Sequence, residues 1–194
     1  NLPKFDEYNY DETVLRTLET NAFCYIIEGD ETSGKNAYKG ITNFMNTLNY
    51  NPSEGKGKNY HDASHILFTA AEIYDWCYPL MSAAEKTAFI EAGQRLMSIL
   101  DWGYPVNLED HSMVTGAASS TMLLVDLFSF AIATYDENSD LYNYLSAVIK
   151  QKNMTARNYW YKSGKYMSGS SYGALRAYSD SWLYWMLDNA LGVK

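Results

Sequence analysis

The stretch Ala71-Glu72-Ile73-Tyr74-Asp75-Trp76-Cys77-Tyr78-Pro79-Leu80-Met81-Ser82-Ala83-Ala84-Glu85 ends one helix and starts the next. Upstream, Ile66, Leu67, Ala70, Ile73, Tyr74 and Cys77 recur at three- and four-residue spacing, which predicts a helix over about 60–78. Pro79 stops it, because the residue before a proline is driven out of the αR region. Ser82 and Glu85 then stand three apart as a capping box, each side chain serving the other's free backbone N–H. Phe89, Ala92, Leu96 and Ile99 carry the helical period onward. Two helices joined by so short a turn pack antiparallel. This hairpin sets the expectation for the rest of the chain.

The same period extends in both directions. Val14, Leu15, Leu18, Ala22 and Ile26 line one face of a helix over 11–28, with Gly29 at its C′ position. Ala37, Ile41, Phe44, Met45 and Leu48 mark a second over 31–49, and the run Asn51 to Lys58 reads as a loop. After the loop Trp102-Gly103-Tyr104-Pro105, a helix over 112–135 is apolar nearly all round and is expected at the centre of the core. Helices over 139–160 and from Ser170 or Ser171 to Gly192 follow, separated by the turn Lys162-Ser163-Gly164-Lys165. Strand-type alternation is absent, and no repeat of the tetratricopeptide or ankyrin kind stands out. The chain reads as one all-α domain over 1–194, about seven helices in antiparallel hairpins.

Composition narrows the function. The net charge of −8 argues against nucleic acid and against an anionic membrane surface. The longest apolar stretch, Met122 to Ala133, is interrupted by Asp126 and does not suit a membrane span. Cys24 and Cys77 each sit in an apolar helical pattern and read as buried free thiols, with a disulfide between them left open. The 18 tyrosines and 5 tryptophans either fill helix seams or line a cleft, where ring faces suit the C–H faces of sugars.

Phosphate-loop, CxxC and HExxH signatures are missing, so neither cofactor nor metal is expected. His61 and His65 lie four apart on one helical face but lack a third ligand; His65, deeper in the helix, is the one expected to face a cleft. Asp110 stands where it can cap the helix over 112–135, and His111 follows at that helix start, where an anion can dock. Tyr172 and Arg176, four apart at the start of the last helix, point the same way. They read either as a surface stack or as a tyrosine whose pKa the guanidinium lowers for acid–base work.

Three of these stretches, in this order, resemble the heparinase II/III-like polysaccharide lyases. They are Ala71 to Ser82 with Glu85-Lys86, His111 ahead of Gly116-Ala117-Ala118-Ser119, and Gly169-Ser170-Ser171-Tyr172-Gly173-Ala174-Leu175-Arg176. The resemblance implies antiparallel hairpins forming an incomplete (α/α) toroid. It also implies a longer polypeptide whose C-terminal β-sandwich domain lies outside this chain, and a periplasmic or secreted bacterial location. The activity it implies is β-elimination on an acidic, uronate-containing polysaccharide, glycosaminoglycan- or alginate-like. Tyr172 would move the proton, His111 would meet the uronate carboxylate or assist, and Arg176 would support Tyr172 or bind acidic groups. His65, Trp102 and Asp110 would be neighbouring substrate contacts. Such chemistry needs a cation or donor at the carboxylate, because the C5 proton is scarcely acidic until that charge is met. The alternatives are a helical carbohydrate-binding domain without activity, and an α/α glycoside hydrolase using carboxylates such as Asp110 and Asp180.

Overall fold

The computed structural model describes residues 12–48, 60–99, 120–164 and 169–190; within these, the side chains of 60–63, 99, 120–123, 171, 175 and 176 fall outside the description. The described residues are mostly helical, with no strand among them. The α-helices are α1 (Glu12–Glu28), α2 (Glu31–Thr47), α3 (Tyr60–Cys77), α4 (Ala83–Ile99), α5 (Ser120–Ala133), α6 (Ser139–Val148), α7 (Met154–Trp160) and α8 (Gly169–Asn189).

Local chemistry sets most of the boundaries. Gly29 ends α1 in the left-handed conformation (φ 74°), its N–H donating to the Tyr25 carbonyl at 2.9 Å. The Asp30 side chain caps α2 by accepting from the Thr32 N–H at 2.9 Å. Pro79 sits in a 3₁₀ turn, Tyr78–Leu80, directly after α3. The capping box forms as expected: the Ser82 N–H donates to Glu85 Oε2 at 2.9 Å and the Glu85 N–H donates to Ser82 Oγ at 3.3 Å.

Packing sorts the helices into two layers. In the first, α1 packs on α3, α3 on α5, and α5 on α8. These four run in the same direction. Ser64 of α3 donates to Asp126 of α5, and Tyr74, ten residues on, donates to Glu137 beyond the end of α5. Arg16 of α1 lies near His65 while Phe23 meets Trp76; Asp126 of α5 lies near Ser179 while Ala133 lies near Met186. The second layer runs the opposite way. The glycines of α2 lie against Leu18 and Tyr25 in reversed order, and Asn153 and Arg157 pair with Tyr184 and Asp180, again in reverse. Within that layer α2 and α4 are parallel: Tyr38 donates to Glu85, and Arg95 donates to the Met45 and Leu48 carbonyls.

The core lies between the layers. The α2 stripe Ala37, Ile41, Phe44, Met45 and Leu48 is fully buried, as are Phe89, Leu96, Phe128 and Phe130. Phe89 and Phe130 stack at 6.0 Å, and an added Cβ at Gly93 would overlap the Phe130 ring. Several tyrosines fill seams with their hydroxyls paired: Tyr38 donates to Glu85 and Tyr74 to Glu137, both at 2.8 Å. Burial, reinforced by those carboxylates, pushes both phenols well above the usual tyrosine range.

The structure departs from several expectations. Ile26 is 49% exposed, because the last turn of α1 runs past its partners. The segment 139–160 is not one regular helix: a π-helical turn, Ile149–Asn153, divides α6 from α7. That wider turn helps set both Asn153 and Arg157 into the interior, where Tyr184 and Asp180 meet them. The last helix ends at Asn189, ahead of Gly192. Both cysteines are free; Cys77 is buried, its thiol pushed up to about 11 by that burial, whereas Cys24 is only half-buried. The helix expected over 112–135 is described from Ser120. It packs on α3, α6 and α8 as a central helix should, yet one face is open rather than buried all round. The loops at Asn51 to Lys58 and Trp102 to Pro105 lie outside the described residues.

Candidate functional site

The open side of the first layer carries the candidate site. Between α3 and α8, α5 forms a low floor of Ser129, Ile132 and Ala133. Phe68, Glu72 and Trp76 rise on the α3 side, and Trp182 and Trp185 on the α8 side, around a cavity of about 580 Å³. Small residues on α5 make this possible, since bulkier ones would fill the space between the walls. A second hollow of about 270 Å³ adjoins it, lined by His65, Phe68, Val125, Asp126, Tyr178, Ser179 and Trp182. A third, between α1 and α3, holds Phe23, Trp76, His65, Arg16 and Glu19.

Two features give this face its chemistry. The first is an aromatic row on α8. Tyr178, Trp182 and Trp185 are spaced i, i+4, i+7 and share one helical stripe. Their rings stack in series at 6.3 and 5.5 Å, with 65%, 40% and 58% of their surfaces exposed. The second is a pair of carboxyls in low-dielectric surroundings. Asp126 is 9% exposed and accepts one hydrogen bond, from Ser64 Oγ at 2.7 Å. Burial pushes its carboxyl up to about 7, against the smaller downward pull of that hydrogen bond. Burial likewise pushes Glu72 up to about 7, with the charge of Glu19 adding to the effect. Such groups exchange protons near neutral pH, which ordinary surface carboxylates do not.

Among the predicted residues, His65 lies on this face. It is exposed, stacks on Phe68 at 5.7 Å, and stands where the α1–α3 hollow meets the one at Asp126. Tyr172 is exposed on the first turn of α8. At 3.6 residues per turn it falls in line with Ser179, Leu183 and Met186, the edge turned toward α5, and not with the aromatic row. Trp102, Asp110 and His111 lie outside the described residues, as does the side chain of Arg176, so the described structure does not bring the proposed catalytic group together.

Asp180 is excluded as a groove carboxylate. It is 2% exposed between α7 and α8, pairs with Arg157 Nε at 2.7 Å and accepts from the Tyr161 hydroxyl at 2.7 Å. Among the described residues no three His, Cys, Asp or Glu side chains are grouped to hold a metal ion, and no helix is long and apolar enough to cross a membrane.

Sequence reasoning passed over the aromatic row, Glu72 and Asp126 as site residues. The signals were present: an i, i+4, i+7 aromatic stripe on a helix whose apolar residues already had another face, and a lone aspartate inside an apolar helix. No protein-family model matches this chain, and no curated protein matches it.

Proposed function

We propose that this chain is the glycan-holding helical part of a polysaccharide lyase of the heparinase II/III-like kind, acting on uronate-containing polymers by β-elimination. The observation that carries this reading is the open face itself, where a row of exposed aromatic rings on α8 stands across from carboxyls on α3 and α5. Protein surfaces rarely leave such a row of rings uncovered without a ligand for it. Sugars present what the row accepts, an apolar ring face with hydroxyls around its edge.

The arrangement of helix starts adds support. Because α5 and α8 run parallel, the first turn of α5 and the exposed Tyr172 lie toward the same end of the two helices. In this reading the two layers form part of an (α/α) toroid, and a β-sandwich domain of the same polypeptide closes the cleft. Tyr172 takes the C5 proton or protonates the departing O4, while His111 and Arg176 meet the uronate carboxylate.

A second reading is favoured by one specific observation. The described lining is acidic, with Glu19, Glu72, Asp75, Asp126 and Asp136 against Arg16 and His65. That balance suits a domain that binds uncharged glycans without cleaving them. Incubating the native polypeptide with alginate, pectate, hyaluronan, heparin, xylan and mixed-linkage β-glucan separates the two. A lyase leaves an unsaturated uronate and ultraviolet absorbance grows on an acidic polymer. Binding of a neutral polymer with no absorbance growth on any acidic one would select the binding domain.

A further inference from the structure

We infer that the two adjoining hollows between α3, α5 and α8 are subsites for consecutive uncharged pyranose rings, held against the exposed Trp182 and Trp185 rings with hydroxyls donating to Asp126 in one hollow and to Glu72 in the other. This rests on the reading that the ligand is a glycan, and it adds a substrate class: the polymer must carry a neutral sugar within reach of the uronate that reacts.

The occupant follows from what the walls offer together. Tyr178 to Trp185 advances about 10 Å along the helix axis, enough for the exposed row to run beside consecutive sugar rings. The Asp126 carboxylate bonds only Ser64 among the described residues, and it has no ion-pair partner there. Its other oxygen is not among the buried atoms left without a partner, and the residue lines the hollow, so that oxygen faces the space a ligand would take. Glu72 stands on the neighbouring wall. A site with two acceptors and no lysine or arginine among its described lining rewards hydroxyl donors and repels a carboxylate, a sulfate or any other anion. An apolar helix from another protein would cover the rings but strand both carboxyls away from water, which is costly in the charged form. A pyranose meets both needs at once, with C–H faces for the rings and hydroxyls for the carboxyls.

Tryptophan fluorescence and calorimetric titration of the chain test this at pH 8, where both carboxyls are largely ionised. The probes are neutral tetrasaccharides of glucose, mannose, galactose and N-acetylglucosamine, with tetragalacturonate as the anionic arm. At least one neutral probe is expected to bind about tenfold or more tightly than tetragalacturonate. Trp182→Ala and Trp185→Ala should each weaken that binding by about tenfold. Both rings are substantially exposed, so circular dichroism and the melting temperature should hold and separate lost binding from lost folding. Tetragalacturonate binding as tightly as every neutral probe, or neutral binding untouched by both tryptophan variants, would overturn the neutral subsite while leaving a glycan-binding role intact. Failure of every saccharide to bind would remove the glycan reading itself. Concentration-dependent dimerisation abolished by Trp182→Ala would assign the row to a second copy of the chain and overturn the subsite.

Discussion

Asp126 and Asp180 are both buried carboxylates, yet their surroundings give them opposite roles. Asp180 has the Arg157 guanidinium and the Tyr161 hydroxyl on one oxygen, and Arg157 in turn lies 4.6 Å from the Trp160 ring. Removing the carboxylate would take the counter-charge from a guanidinium that is only 1% exposed. Asp180→Ala is therefore expected to cost about 3–5 kcal/mol in chemical denaturation, with glycan affinity preserved in the folded fraction. A loss below about 1 kcal/mol would contradict that assignment. Asp126 has no such counter-charge, and burial raises its carboxyl to about 7 in the folded state against 3.8 as the ordinary value. Between those two values the folded chain keeps a proton that the unfolded chain has released, so stability falls as pH rises and levels off above about 7. Asp126→Asn keeps an acceptor for Ser64 and removes the titration. Its melting temperature should change less than the wild type's between pH 5 and pH 8, and it should be the more stable of the two at pH 8. Superimposable pH profiles would contradict the buried-carboxyl account. At this scale the sequence was only partly legible. Asp126 is visible as a polar break in an apolar helix, whereas Arg157 and Asp180 are 23 residues apart and become partners only when α7 folds back along α8.

Elements were far more legible, because their signals are local. The capping box at Ser82 and Glu85, the glycine after α1 and the proline after α3 each act within a turn of themselves, and each marks a boundary in the structure. Ser82→Ala should lower stability by about 1 kcal/mol, measured by denaturant midpoint. The exceptions are instructive. The π-helical turn at Ile149–Asn153 has no local cause in Ile149-Lys150-Gln151-Lys152-Asn153; it serves partners on α8, which local periodicity cannot register. Gly93 is likewise silent in the sequence, being an unremarkable residue within α4, but the Phe130 ring occupies the space its side chain would need. Gly93→Ala improves helix propensity by about 1 kcal/mol and yet is expected to destabilise by about 1–3 kcal/mol net, because ring and helix must move apart. A raised melting temperature in that variant would show the α4–α5 contact to be looser than described.

At the scale of the whole fold, the described residues set four parallel helices in one layer and their antiparallel partners in another, leaving one side of the first layer open. That short loops make antiparallel hairpins was legible in the sequence; which helix faces were left uncovered was not, since exposure depends on the neighbours each face finds. The aromatic row on α8 is visible as a stripe in the sequence, but that it stays uncovered shows only once α5 takes the Leu183 side. The central claim joins that open face to a reaction, in which Tyr172 is the described residue proposed to move the proton. The direct measurement is the initial rate of unsaturated-uronate formation by the native polypeptide and its Tyr172→Phe variant, with binding of the same polymer measured in parallel. Tyr172 is exposed, so loss of its hydroxyl should leave folding and affinity near wild type while the rate falls by about a hundredfold or more. An undiminished rate in Tyr172→Phe would contradict Tyr172 as the proton carrier and, with it, the catalytic account.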